Sequence, residues 1–191
     1  YPGHIELMRV MRDTGLFSKE PVDVGGVRMR PLDLTSKLLF PKWTYEEGFV
    51  RNKESQYYTR ARSENARVEG GVLVIEARKE RFSNPSFQPG ASGRGRSQFA
   101  EYTSASVTTE GKAAWRYGRI EVRAKLPAGR GMWPAIWMLG TNHRQAGWPR
   151  CGEIDIMENV GFEPSLIHAN IHTQSYNHVQ KTGKGAKIEI A

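Results

Sequence analysis

The sequence predicts an all-β fold, an antiparallel sandwich or barrel. Short apolar runs recur along the chain. One segment alternates strictly between apolar and charged residues. Gly and Pro, 20 and 10 of them, punctuate these runs and leave little room for helix.

Residues 1–41 stand apart from the rest. His4–Arg12 suits a short helix, and a Gly/Pro-punctuated stretch from Pro21 to Pro31 follows it. No chemistry can be assigned to this segment, so residues 42–191 are taken as the folded domain. Val72–Glu76, after a Gly-Gly turn, reads as a buried strand. Arg81–Gln98 is rich in Ser, Gly and Pro and reads as a long surface loop. Tyr102–Thr109 is rich in β-formers. In Gly118–Leu126, Ile120, Val122, Ala124 and Leu126 share one side, while Arg119, Glu121, Arg123 and Lys125 share the other. That pattern predicts a half-buried strand. The apolar run 132–139 and the segments 153–160 and 166–173 complete the expected strands.

Composition narrows the function classes. Of 191 residues, 38% are hydrophobic and 10% aromatic, which argues against a disordered chain. No apolar run approaches the roughly 20 residues of a membrane span. Lys plus Arg is 28 against 20 acids, a net charge of +8. This excess is spread along the chain, whereas phosphate binding calls for a clustered basic stripe. The densest basic spot, Arg94–Gly95–Arg96, holds two arginines, so no nucleic-acid partner is expected. The single cysteine, Cys151, forbids an internal disulfide and reads as a small buried residue.

The chemistry concentrates in Glu153–Ile154–Asp155–Ile156–Met157–Glu158. Alternation puts Glu153 and Asp155 on one face of a strand and Ile154 and Ile156 on the other, toward a core. Glu158 breaks the parity, and one β-bulge near Met157 would return it to the acidic face. Three carboxyls on one face cannot all stay ionised. One protonated and one ionised carboxyl is the pair that glycoside hydrolysis needs. The same acids could instead hold a hard cation or form a solvated strand edge. Asp155 is the only aspartate after Asp33, which favours purposeful placement.

At this strand the sequence resembles glycoside hydrolase family sixteen, in the bulged Glu-x-Asp-x-x-Glu form of laminarinase-like endo-β-1,3-glucanases. The resemblance extends to Gln56–Tyr57–Tyr58–Thr59, Glu64–Val68, Gly71–Ala77, Tyr102–Ala105 and Tyr117–Glu121. It continues through Gly131–Gly140, Gly147–Trp148–Pro149 and the His172–Thr173 pair, covering about residues 42–178. It implies a jelly-roll β-sandwich of two curved antiparallel sheets with a concave glucan-binding cleft. It implies Glu153 as nucleophile, Glu158 as acid/base and Asp155 as a hydrogen-bonding assistant. The reaction would be retaining endo-hydrolysis of β-1,3 bonds in laminarin-like or mixed-linkage β-glucan. Agar or carrageenan specificity, or a non-catalytic β-glucan-binding module or fragment, are the alternatives.

The sugar contacts follow from the same frame. A pyranose offers an apolar C–H face to a flat ring. Trp133 and Trp137, four apart, would share a strand face, and Trp148 precedes the catalytic strand; Trp43 and Trp115 are expected in the core. His168, Asn170 and His172 make one face of their strand polar, and His172 resembles a family histidine near the acid/base. Asn52 and Arg62 flank Gln56–Tyr58 as candidate donors to sugar hydroxyls, and Glu54 is a candidate cleft residue.

The sequence also departs from the family. Leu38–Phe40 runs into Pro41–Trp43 without the usual acidic-aromatic motif, and Ala191 follows soon after the His172 strand. The sandwich is therefore expected to be incomplete at both ends, its C-terminal strands missing. No cofactor or metal is predicted; structural calcium, which some members of the resembled family bind through terminal residues, is left open and not predicted. A β-glucan is the expected partner, and the sequence does not set the oligomeric state. No signal peptide is visible; a secreted, extracellular or periplasmic location follows from polymer size and family habit.

Overall fold

A computed structural model describes residues 22–24, 27–29, 42–69, 71–91 and 97–190. The expected helix at His4–Arg12, the Arg94–Arg96 loop and the Leu38–Phe40 junction lie outside the described residues. Among those described, thirteen strands accompany one helical turn, so the chain is all-β as expected. It forms two compact units, one reaching to Lys125 and one starting at Leu126.

In the first unit the strands are β1 (Val22–Val24), β2 (Val27–Met29), β3 (Thr44–Glu46), β4 (Gln56–Tyr58) and β5 (Ala66–Glu69). They continue with β6 (Val72–Ile75), β7 (Arg78–Ser83), β8 (Phe99–Ser104) and β9 (Ser106–Thr108). β1 and β2 form a hairpin inside the Pro21–Pro31 stretch, where the sequence suggested no element. β5 and β6 form a second hairpin with Glu69 opposite Val72. Its two-residue turn needs a left-handed backbone, and Gly71 supplies it with φ +77. Leu73, Val74 and Ile75 are buried as expected, each worth about 1.5–3 kcal/mol relative to exposure.

β4 lies parallel to β8, and β8 runs antiparallel to β7, so this sheet is mixed rather than purely antiparallel. All three β4 residues are buried, as suits a strand covered on both faces. β7 claims Arg81–Ser83 from the expected loop. Asn84 closes the base of that loop, its backbone N–H donating to Gln98 O at 2.9 Å and its Nδ2 to Ser97 O at 2.9 Å.

Gly118–Leu126 is not a strand. Its residues make no ladder, and Ile120 and Val122 are 43% and 38% exposed. Alternation sets which side chains share a face; it does not supply a neighbouring strand, and none pairs here among the described residues. Trp115, expected in the core, is 48% exposed.

The second unit holds β10 (Ala135–Leu139), α1 (His143–Ala146), β11 (Glu153–Asn159), β12 (Leu166–His172) and β13 (Lys184–Glu189). The four strands form one antiparallel sheet in the order β10-β11-β12-β13. β13 follows the His172 strand, where the sequence suggested no further strand. It is exposed throughout and forms the sheet edge. Ile154 and Ile171 face each other across β11 and β12 on the apolar side. They are 50% and 42% exposed, so Ile154 does not enter a core as expected.

Candidate active site

β11 carries the three acids, and the sheet register shows how they converge. Asp155 pairs with Asn170 and Glu158 with His168, so three steps on β11 match two on β12. Against β10, Asp155 pairs with Trp137 and Met157 with Ile136, so two steps match one. One extra residue therefore sits at Ile156–Met157, which is the expected bulge. It places Glu158 on the face of Glu153 and Asp155. Across from them on β12 stand His172, Asn170 and His168.

Each glutamate is gripped by a tryptophan. The Trp148 indole Nε1 donates to Glu153 Oε2 at 2.5 Å. The Trp133 Nε1 donates to Glu158 Oε1 at 3.0 Å, and Asn170 Nδ2 donates to Glu158 Oε2 at 3.1 Å. Donors on both oxygens fix the plane of the Glu158 carboxyl. The two indoles are 54% (Trp133) and 39% (Trp148) exposed, so part of each ring stays accessible. Trp133 lies just before β10 and Trp137 within it, opposite Asp155. The four-residue spacing therefore does not describe a shared strand face.

Asp155 sits between the glutamates and is 5% exposed. Burial, then the charges of Glu153 and Glu158, push its carboxyl up to about 7, and it hydrogen-bonds Glu153. His172 Nε2 lies 3.1 Å from Asp155 Oδ2. His172 is registered opposite Glu153, at the other end of the triad from Glu158; His168 occupies the position opposite Glu158. A protonated Asp155 gives its proton to the Glu153 hydrogen bond and accepts from the imidazole N–H. The ionised Glu153 is then held by Asp155 on one side and Trp148 on the other.

His178 joins the site without having been singled out by the sequence. Its ring packs on Trp148 at 5.0 Å and 32°, and edge-on to His172 at 5.4 Å. Asn177 is 1% exposed and knots the loop that carries it. Its Nδ2 donates to Thr173 O, its Oδ1 accepts from Gln180 N, and its N–H donates to Thr182 Oγ1. At the far end of β11, Asn159 Nδ2 donates to the carbonyls of Pro164 and Leu166 and fixes the turn after Glu158.

Asn52 and Arg62 belong to the first unit. Asn52 is an exposed turn residue with φ 53. Arg62 grips Glu80 with both terminal nitrogens, at 2.5 and 3.1 Å, and also reaches Asn65 and Thr103. Glu54 accepts from Tyr58 and Gln56. Among the described residues no group of three His, Cys, Asp or Glu is arranged to hold a metal ion. No described helix is long and apolar enough to cross a membrane.

Comparison with known proteins places the chain in a family. Residues 53–188 match the family described as Glycosyl hydrolases family 16. A β-glucanase of Rhodothermus marinus is 52% identical over 153 residues, 78% of this chain and 48% of that protein. A glucan endo-1,3-β-glucosidase of Cryptopygus antarcticus is 43% identical over 136 residues, 70% of this chain and 46% of that protein. The chain thus spans about half the length of these relatives. The crystal structure of the Rhodothermus marinus laminarinase superposes with a TM-score of 0.67 and 43% identity, over 97% of this chain and 63% of that one. The fold is the jelly-roll class that the sequence resemblance implied.

Proposed function

The chain belongs to glycosyl hydrolase family 16, and from that premise we propose that it hydrolyses internal β-1,3 bonds of laminarin-like or mixed-linkage β-glucan with retention of configuration. The observation that carries this reading is the bulged strand β11, which gathers Glu153, Asp155 and Glu158 on one face, each with its own hydrogen-bonding partners. The names of the relatives support the substrate class.

Glu153 is the nucleophile. It attacks the anomeric carbon while Glu158 protonates the departing glycosidic oxygen, leaving a covalent glycosyl-enzyme. Glu158, now ionised, takes a proton from water, which releases the sugar with its original configuration. Asp155 stays protonated beside Glu153 in the resting site, and its hydrogen bond responds as negative charge leaves and returns to that carboxylate. The exposed parts of the Trp133 and Trp148 rings are the stacking platforms for sugar rings. Trp137 and His172 complete the face. No cofactor enters, because carboxyls perform both steps. A polymeric glucan does not cross a membrane, so the site of action is outside the cytoplasm.

Reducing-sugar release from laminarin, with the anomer followed by NMR, tests the reading. Wild-type protein should release β-configured ends, and Glu153→Gln should bind glucan without cutting it. Binding without release by the wild type would leave a recognition module. Cleavage of agar or carrageenan alone would move the substrate class.

A further inference from the structure

Gly185 is a glycine without a backbone reason. It lies inside β13, on the exposed edge of the sheet, and it does not adopt the left-handed φ that glycine permits. Glycine within a strand weakens it, so its presence calls for a reason in space. That reason is Asn170. The two residues are direct partners across β12 and β13. A Cβ on Gly185 would lie 2.1 Å from Asn170 Oδ1, 3.1 Å from its Cγ and 2.6 Å from Ala169 O.

The Asn170 amide therefore lies flat across the strand that Gly185 leaves bare. Its Oδ1 rests over Gly185, and that turns Nδ2 the other way, onto Glu158 Oε2 at 3.1 Å. We infer that Gly185 is a positioning residue for the acid/base: the missing side chain seats the Asn170 amide so that it holds the Glu158 carboxyl in the plane set with Trp133. The inference rests on the reading of Glu158 as the acid/base.

A side chain at 185 must displace the Asn170 amide. Glu158 then keeps its Trp133 contact and loses the second, free to swing about the first. Delivery of a proton to a poor leaving group depends on such aim, whereas departure of a group that needs no proton does not. Glucan and an aryl glycoside with a 2,4-dinitrophenolate leaving group should therefore respond differently.

The experiment compares wild type, Gly185→Ala, Asn170→Ala and the double variant, each by kcat/KM on laminarin and on 2,4-dinitrophenyl β-laminaribioside. Gly185→Ala and Asn170→Ala should each lose about tenfold more on laminarin than on the aryl glycoside, and the double variant should lose no more than Asn170→Ala. Equal losses on both substrates would mean a merely structural glycine and overturn the inference, while leaving the glycosidase reading intact. A wild type inactive on both substrates would sink that reading and this inference with it. If Gly185→Ala does not fold, the double variant decides. A folded double variant behaving like Asn170→Ala supports the seat, and one that also fails to fold places the clash on the Ala169 backbone and refutes it. A crystal structure of Gly185→Ala gives a readout independent of activity: Asn170 should leave Glu158, and a retained Nδ2–Oε2 contact would refute the proposal.

Discussion

Trp148 donates its indole N–H to Glu153 Oε2 at 2.5 Å while its ring packs against His178. In the proposed mechanism one side chain thus both orients the nucleophile and offers a surface for sugar. Trp148→Phe keeps the ring and deletes the donor. A hydrogen bond to a charged group is worth about 1.5–3 kcal/mol, so kcat should fall by about ten- to a hundredfold with KM little changed. A variant that raises KM alone would make Trp148 a sugar platform and nothing more.

The His178 ring supports that indole from the Asn177-knotted loop. Aromatic contacts of this kind contribute about 0.5–1.5 kcal/mol. His178→Ala should reduce turnover by about two- to tenfold, and His178→Phe should recover most of the loss. If Phe restores nothing, the imidazole nitrogens rather than the ring are what matters.

Asp155 makes folding depend on pH in a defined direction. Its carboxyl is raised from 3.8 to about 7 in the fold, chiefly by burial. Between those values the folded state binds more protons than the unfolded one, so stability falls as pH rises from about 4 through 7. The loss is on the order of a few kcal/mol. Asp155→Asn cannot ionise, and denaturant titrations across that window should show a shallower decline than in wild type. Parallel curves would show that Asp155 does not titrate there.

Arg62 and Glu80 form an ion pair that anchors Thr103 and Asn65 in the first unit. Arg62 holds the Glu80 carboxyl down at about 2, with its hydrogen bond the largest cause. The stabilisation is present above the ordinary carboxylate value of 4.5 and disappears as pH falls toward 2. Both side chains are about a quarter exposed, and solvent screening limits the effect. Arg62→Ala should cost about 2 kcal/mol at pH 7 and progressively less in acid. An unchanged melting temperature with a raised KM for glucan would instead assign Arg62 to sugar binding.

The acidic strand β11 was the most legible part of the chain. Glu158 falls on the wrong parity in a regular strand, and that conflict alone called for the bulge that the register shows. Val72–Ile75 was readable because a short apolar run reports burial directly, and Leu166–His172 because polar and apolar residues alternate along it. Gly118–Leu126 misled for the second reason: its alternation is as clear, but pairing depends on a neighbour that a local pattern cannot name. β13 went unseen because Lys184–Glu189 is an exposed edge with little apolar signal. His178 and Gly185 escaped because each acts through a contact in space. The former lies on a loop, and the latter matters for the atoms it lacks. The Tyr176–Asn177–His178 cluster soon after His172 was the signal that could have pointed to the loop.

The bulge at Ile156–Met157 is also an insertion that the sheet has already absorbed. An acidic pair separated by an odd number of steps is usable only because the neighbouring strands, β10 and β12, each skip one position at the same place. Deleting Met157 would remove the surplus residue, and the bulge that accommodates it would go too. The three acids would then alternate in an ordinary pleat and still share one face. A change in length, which elsewhere in a strand turns half the side chains over, would here leave the three acids on one face and alter only the bend of the strand that carries them.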